Sequence, residues 1–297
     1  MKTAVLIDAN AAAHKALYVY GDLSSAVKIA GKFVEVRTGI AYGMIRHVIL
    51  MAQKFSPDRL EVIWDGGHDK RSILYPAYKK SRPSKPEDIH NEMQFSVNML
   101  RKLAVVQRRV VGLEADDIIA SRTIKLNKNG YTVIIISPDK DFKQLLRPGV
   151  KLYRQLKEGA KIYTVGDYKR EYNGMDPKYF AHLLALMGDG VDGIPGVRGV
   201  GEKRALKIMG CYERPTVKNI LANLDAIRDV KLQDAIIASS EELPIFLQLT
   251  KLDKELKAPK MFETLFSEEQ ALATLKRYKM QSLTFDKNFD TIRNLPR

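Results

Sequence analysis

Four short apolar runs rich in β-branched residues, at Thr3–Ile7, Leu60–Trp64, Val105–Val111 and Thr132–Ile136, are separated by longer segments in which apolar residues recur at helical spacing. Runs of strand length joined by connections long enough for a crossover helix predict an α/β fold with a mainly parallel central sheet. Within the connections, Met44, Val48, Met51 and Phe55 follow one another at three- and four-residue intervals, and Ile118, Ile119 and Ile124 form a similar stripe. Both read as helix faces packed on the sheet.

Each run is followed within a few residues by acid: Asp8 after the first, Asp65 after the second, Glu114, Asp116 and Asp117 after the third, Asp139 and Asp141 after the fourth. An open parallel sheet gathers the carboxyl ends of its strands at one edge, where sites form. Carboxylates converging there repel one another unless a cation neutralises them. With oxygen ligands and no His or Cys cluster, the expected cation is hard, Mg2+ or Mn2+, and not zinc. Asp189 and Asp192 lie in a glycine-punctuated loop that can approach the same edge. Nine candidate ligands exceed the needs of one magnesium, and two ions about 4 Å apart would share them in phosphodiester hydrolysis. Taken singly, an acid such as Asp116 reads as a helix cap or surface charge. Recurrence at all four strand ends is what favours a metal site.

Composition narrows the partner. The chain has 49 Lys+Arg against 35 Asp+Glu, a net charge of +14, which suits a polyanion. With 45% hydrophobic residues it has the composition of an ordered globular protein. A single cysteine, Cys211, permits no internal disulfide or thiolate cage and suits a reducing compartment. No stretch approaches the ~18 apolar residues of a membrane span, and Asp8 interrupts the first apolar run before a signal peptide could be completed, so a cytoplasmic protein without membrane contact is expected.

Two further segments carry charge in a pattern. Between Gly66 and Gly112 ten basic residues (Lys70, Arg71, Lys79, Lys80, Arg82, Lys85, Arg101, Lys102, Arg108 and Arg109) face four acids, and Pro76, Pro83 and Pro86 interrupt helix. This reads as an exposed, partly irregular insertion between strands, of a length that is often functional. From about Asp176 the pattern is purely helical. There Gly196, Gly199 and Gly201 lead into a helix start bearing Lys203 and Arg204. Glycines that allow positive φ, followed by helix amides and cations, form a phosphate seat, so this is read as a helix-hairpin-helix gripping a nucleic-acid backbone.

The motifs Ile7-Asp8-Ala9-Asn10, Trp64-Asp65, Glu114-Ala115-Asp116-Asp117, Asp139-Lys140-Asp141 and Met187-Gly188-Asp189 stand in an order and spacing that resembles the 5′ nuclease, or flap endonuclease, family of bacteriophages and of bacterial DNA polymerase I nuclease domains. The resemblance runs from Asp8 to about Leu206. It implies a PIN-like nuclease domain over residues 1–175 with a helical arch at about 68–104, a helix-hairpin-helix module over 176–250, and a tail over 251–297 that carries no readable motif. It implies that Asp8, Asp65, Glu114, Asp116, Asp117 and Asp139 serve one metal and that Asp141, Asp189 and Asp192, with Asp139 or Asp117 nearby, hold a second. Tyr78-Lys79-Lys80-Ser81-Arg82 resembles the family's catalytic stretch, so Lys79 and Arg82 are expected to orient the scissile phosphate, with Lys80 nearby on the DNA and Tyr78 stacking on a base. The hairpin of relatives often holds K+. Leu184 stands where some phage relatives carry a lysine. The activity implied is two-metal cleavage of flap, branched or nicked DNA and of RNA primers in DNA–RNA hybrids during replication or repair, by a monomer whose replication partners are unknown.

Overall fold

The computed structural model describes residues 2–83, 86–156, 159–256 and 265–297; Lys85 and part of the tail, 257–264, lie outside them. The strands are β1 (Thr3–Asp8), β2 (Ser24–Ile29), β3 (Lys32–Arg37), β4 (Arg59–Ile63), β5 (Gln107–Arg108), β6 (Thr132–Ile136), β7 (Val150–Leu156) and β8 (Gly159–Tyr163). The helices of the first half are α1 (Ala9–Tyr20), α2 (Gly39–Phe55), α3 (Asp69–Leu74), α4 (Glu87–Lys102), α5 (Ala115–Lys128) and α6 (Val165–Glu171). Those of the second half are α7 (Phe180–Met187), α8 (Glu202–Met209), α9 (Val217–Ala222), α10 (Val230–Ala238), α11 (Leu243–Thr250), α12 (Glu268–Arg277) and α13 (Asp286–Arg293).

The main sheet has the order β5-β4-β1-β6-β7-β8 and is parallel except for the β7–β8 hairpin. β1 is central, and the connections leave it in opposite directions, towards β4 and β5 on one side and β6 and β7 on the other. The crevice at such a reversal is where parallel sheets bind ligands. Side chains alternate across the strands. Ala4, Leu6, Val133 and Ile135 enter one core with α5, α7, α8 and α11, while Val5, Ile7, Ile134 and Ile136 enter a second core with α1, α2 and α4. β1 and β6 are therefore apolar on both faces and read as unbroken hydrophobic runs, as buried parallel strands do.

The structure departs from the sequence reading at one strand and adds detail in two other segments. The run Val105–Val111 forms only the two-residue strand β5, whose residues Gln107 and Arg108 are both buried polar side chains. Arg108 and Arg122 both pair with the fully buried Glu61 on β4, so this edge is held by an ion network instead of aliphatic packing. The basic stretch is partly irregular and not wholly exposed: α4 buries Met99 and Leu100 in the second core, with Ser96 buried beside them. In the tail, Ala271, Leu275, Leu283, Phe289 and Ile292 complete the second core.

Candidate active site

The strand ends deliver the acids to one edge. Asp8 closes β1 and caps α1: its Oδ1 accepts from the Ala11 N–H at 3.1 Å and its Oδ2 from the Ser137 hydroxyl at 2.8 Å. Capping and site membership thus coexist in one side chain. Asp65 follows β4; its N–H donates to Asn10 Oδ1 at 3.2 Å, and its own Oδ1 accepts from the Gly67 N–H at 3.2 Å. After β6, Asp139 Oδ1 accepts from the Asp141 N–H at 2.8 Å. Asp141 Oδ1 is buried without a hydrogen-bond partner.

Burial raises the carboxyls of Asp8, Asp116 and Asp139 above the usual range. The charge of Asp139 adds to the effect at both Asp8 and Asp116, and Asp65 adds to it at Asp8. Burial, then Asp139 and Asp189, pushes Asp141 up to about 8. These groups lie close enough to oppose one another's ionisation.

Four cations reach in from the rim. Lys79 sits in left-handed backbone at φ 54, a conformation secured by its N–H donating to the Asp192 carbonyl at 2.9 Å. Its buried ammonium pairs with Glu114 and lies 3.8 Å from Asp192. Arg82 pairs with Asp192, Lys140 with Asp189 at 2.9 Å, and Arg71 with Glu114 and Asp117. The loop carrying Asp189 and Asp192 is pinched shut by an Asp189–Ile194 bridge. It is pressed at Gly193 onto the segment that follows α3, where an added Cβ would come within 2.9 Å of the Ala77 carbonyl oxygen.

Two expectations change. Tyr78 is only 4% exposed, packed edge-on against His68, with its hydroxyl within 3.2 Å of both Glu114 and Asp192. Placed so, its ring has no face for a base, and its hydroxyl lies between the two carboxylates. Lys79 is also buried, whereas Lys80 is exposed and Arg82 is half exposed.

The helical hairpin is α7, the glycine loop and α8. Gly196 has φ 68, and a Cβ there would fall 2.3 Å from the Gly188 nitrogen, so the two chain segments cross backbone to backbone. Gly199 is also left-handed, and Gly201 caps α8 with open space beside it. Lys203 and Arg204 stand exposed on the first turn of α8, and Arg204 donates to the Gly199 carbonyl at 2.6 Å. Val197 and Val200 are buried and anchor the loop.

The structure therefore gathers Asp8, Asp65, Glu114, Asp116, Asp139, Asp141, Asp189 and Asp192 around one crevice and turns Asp117 towards Arg71. Among the described residues no three side chains form a ready-made metal cage, and several of the acids are engaged by the cations above. The donor set still fits hard divalent ions: it is all carboxylate, its acids oppose one another's charge, and Asp141 offers an orphaned oxygen. Sequence reading missed Arg71, Asn10 and Ser137 as members of this site. Asn10 stood inside a quoted motif and Arg71 inside the basic count, but nothing local to either marks its partner.

A parallel sheet with an acid-rimmed carboxyl edge, overhung by cations and flanked by a glycine hairpin, defines a phosphodiester-cutting nuclease. Two family descriptions match it: the 5′-3′ exonuclease N-terminal resolvase-like domain over residues 3–173 and the 5′-3′ exonuclease C-terminal SAM fold over residues 175–273. The chain belongs to the 5′-3′ exonuclease family. It is 29% identical over 284 residues to the 5′-3′ exonuclease of Aquifex aeolicus, covering 95% of this chain and 92% of that one. It is 30% identical over 285 residues to the thermostable DNA polymerase I of Thermus filiformis, covering 96% of this chain and 32% of the polymerase. In fold it resembles the bacteriophage T5 flap endonuclease seen with DNA and metal ions, at a TM-score of 0.68 and 21% identity, covering 98% of each chain.

Proposed function

We propose that the crevice holds two divalent cations, Mg2+ or Mn2+, and cuts branched, flap or nicked DNA and RNA primers near the junction of single and double strand. The observation that carries this reading is the convergence of eight carboxylates, one with an orphaned oxygen, on an edge overhung by Lys79 and Arg82. Asp8, Asp65, Glu114, Asp116 and Asp139 would hold one ion, and Asp141, Asp189 and Asp192, with Asp139 between, the other. When bound, the ions would lower the pKa of the attacking water and offset charge on the leaving oxygen.

The chain's own residues do the rest. Lys79 and Arg82, now paired with Glu114 and Asp192, exchange part of that pairing for the scissile phosphate and offset charge that grows as the bond breaks. Lys80 and the hairpin residues Gly196, Gly199, Gly201, Lys203 and Arg204 bind backbone phosphates without reading bases, so the site is chosen by shape. K+ in the hairpin and a monomeric state complete the reading. A 5′-labelled flap duplex tests it: cutting next to the junction in Mg2+, abolished by EDTA and by Asp139→Asn while binding in Ca2+ persists, supports the proposal. Tight binding with no cutting by the unaltered protein contradicts it.

A further inference from the structure

Asp116 and Asp117 are neighbours on the first turn of α5, and adjacent residues on a helix point about 100° apart. They cannot both face one ion with equal ease. Asp116 faces Asp139 and Asp8, inside the crevice. Asp117 faces the other way, and three N–H donors take its oxygens: Arg71 Nη1 on Oδ2 at 2.7 Å, Arg71 Nη2 on Oδ1 at 2.9 Å, and the Asp253 N–H on Oδ1 at 2.8 Å. A two-pronged guanidinium–carboxylate pair is the stronger kind of ion pair, and this one is largely shielded from water.

Arg71 does more than pair with Asp117. Its Nε donates to the Leu249 carbonyl at 3.0 Å, its Nη2 to the Lys251 carbonyl at 3.1 Å, and Nη1 also pairs with Glu114. The segment it grips leaves the end of α11 and is stitched down along its length. Thr250 donates to the Ala181 carbonyl on α7 at 2.9 Å, and the Leu252 N–H donates to Gln144 Oε1 at 3.0 Å. A strap leaving α11 is thus held by Arg71 on α3, by α7 and by Gln144, and meets Asp117 at the Asp253 N–H.

We propose that Asp117 is not a metal ligand but the anchor of this strap, and that with Arg71 it positions Glu114 and the base of α3 for the reaction. The proposal rests on the two-metal reading above and reassigns one of its nine acids. Lysine cannot replace Arg71, because a single ammonium cannot span two carboxylates and two carbonyls lying on different sides.

Calcium binding by titration calorimetry, with flap cleavage and hydrogen exchange on the full chain, tests it using Asp116→Asn, Asp117→Asn and Arg71→Lys. Asp117→Asn and Arg71→Lys are expected to bind as many Ca2+ ions as the unaltered protein and to lower kcat by about 10- to 100-fold with KM little changed, as loss of a supporting hydrogen bond does. Exchange at the Asp253 amide should rise in both. Asp116→Asn should bind fewer ions. Loss of an ion in Asp117→Asn, or unaltered kcat in both anchor variants, overturns the proposal. If the unaltered protein binds no Ca2+ in the crevice, the two-metal reading itself fails.

Discussion

Lys79 shows how much rests on single residues here. It adopts left-handed backbone, is buried, and carries its ammonium over the Tyr78 ring at 4.9 Å onto Glu114. Removing a preorganised donor of this kind costs about 10²- to 10³-fold in kcat, so Lys79→Ala should lose that much with substrate binding largely kept, measured by single-turnover cleavage. Lys79→Gly would keep the backbone conformation yet still lose the rate, which separates the ammonium from the strain of the loop. The Tyr78 hydroxyl should matter in a second way: Tyr78→Phe leaves Glu114 and Asp192 without a shared donor and is expected to slow cutting without unfolding the chain. At this scale the sequence displayed the acids well, because strand ends repeat. It displayed their partners poorly, since Tyr78, Arg71 and Ser137 acquire meaning only from residues 36 to 178 positions away.

Among the elements, the hairpin and its supporting helices were legible as a pattern of glycines, and their packing was not. At Gly196 an alanine Cβ would meet backbone on a residue that is already left-handed. Gly196→Ala is therefore expected to lower stability by roughly 2 kcal/mol or more and to weaken duplex binding, read by thermal unfolding and by anisotropy. A pH effect belongs to α7 and α9. His182 Nδ1 accepts from the Val217 N–H at 3.1 Å, and burial, followed by nearby Lys251, lowers its pKa to about 4. The folded-state pKa lies below the unfolded value near 6.5, so the unfolded chain takes up the proton first. The stability from neutral His182 is complete above about pH 6.5 and is lost as pH falls towards 4, by on the order of 1–3 kcal/mol. Urea titrations from pH 7 to 5 should show this loss, and His182→Gln should flatten it. The β2–β3 ribbon went unread because its exposed residues, Phe33 and Val34 among them, alternate with charge in a stretch short enough to pass for a loop.

Over the whole molecule, a net charge of +14 surrounds a crevice of eight gathered carboxylates, and the overall basic excess favours a polyanion as partner. Binding to a flap duplex should weaken steeply with salt, and Lys203→Ala should reduce the slope of log K against log salt by about one, as loss of one phosphate contact does. The two-sided sheet was legible in the unbroken apolar runs of β1 and β6. That the last thirty-odd residues return to seal the second core was not, because Ala271, Leu275, Phe289 and Ile292 sit in short helices among charges. The most direct test of the central claim is a crystal soaked in Mn2+ and measured for anomalous scattering. Two peaks about 4 Å apart among Asp8, Asp116, Asp139 and Asp141, with Asp117 still on Arg71, are the expected result; no peak there, or ions bound only elsewhere, would contradict it.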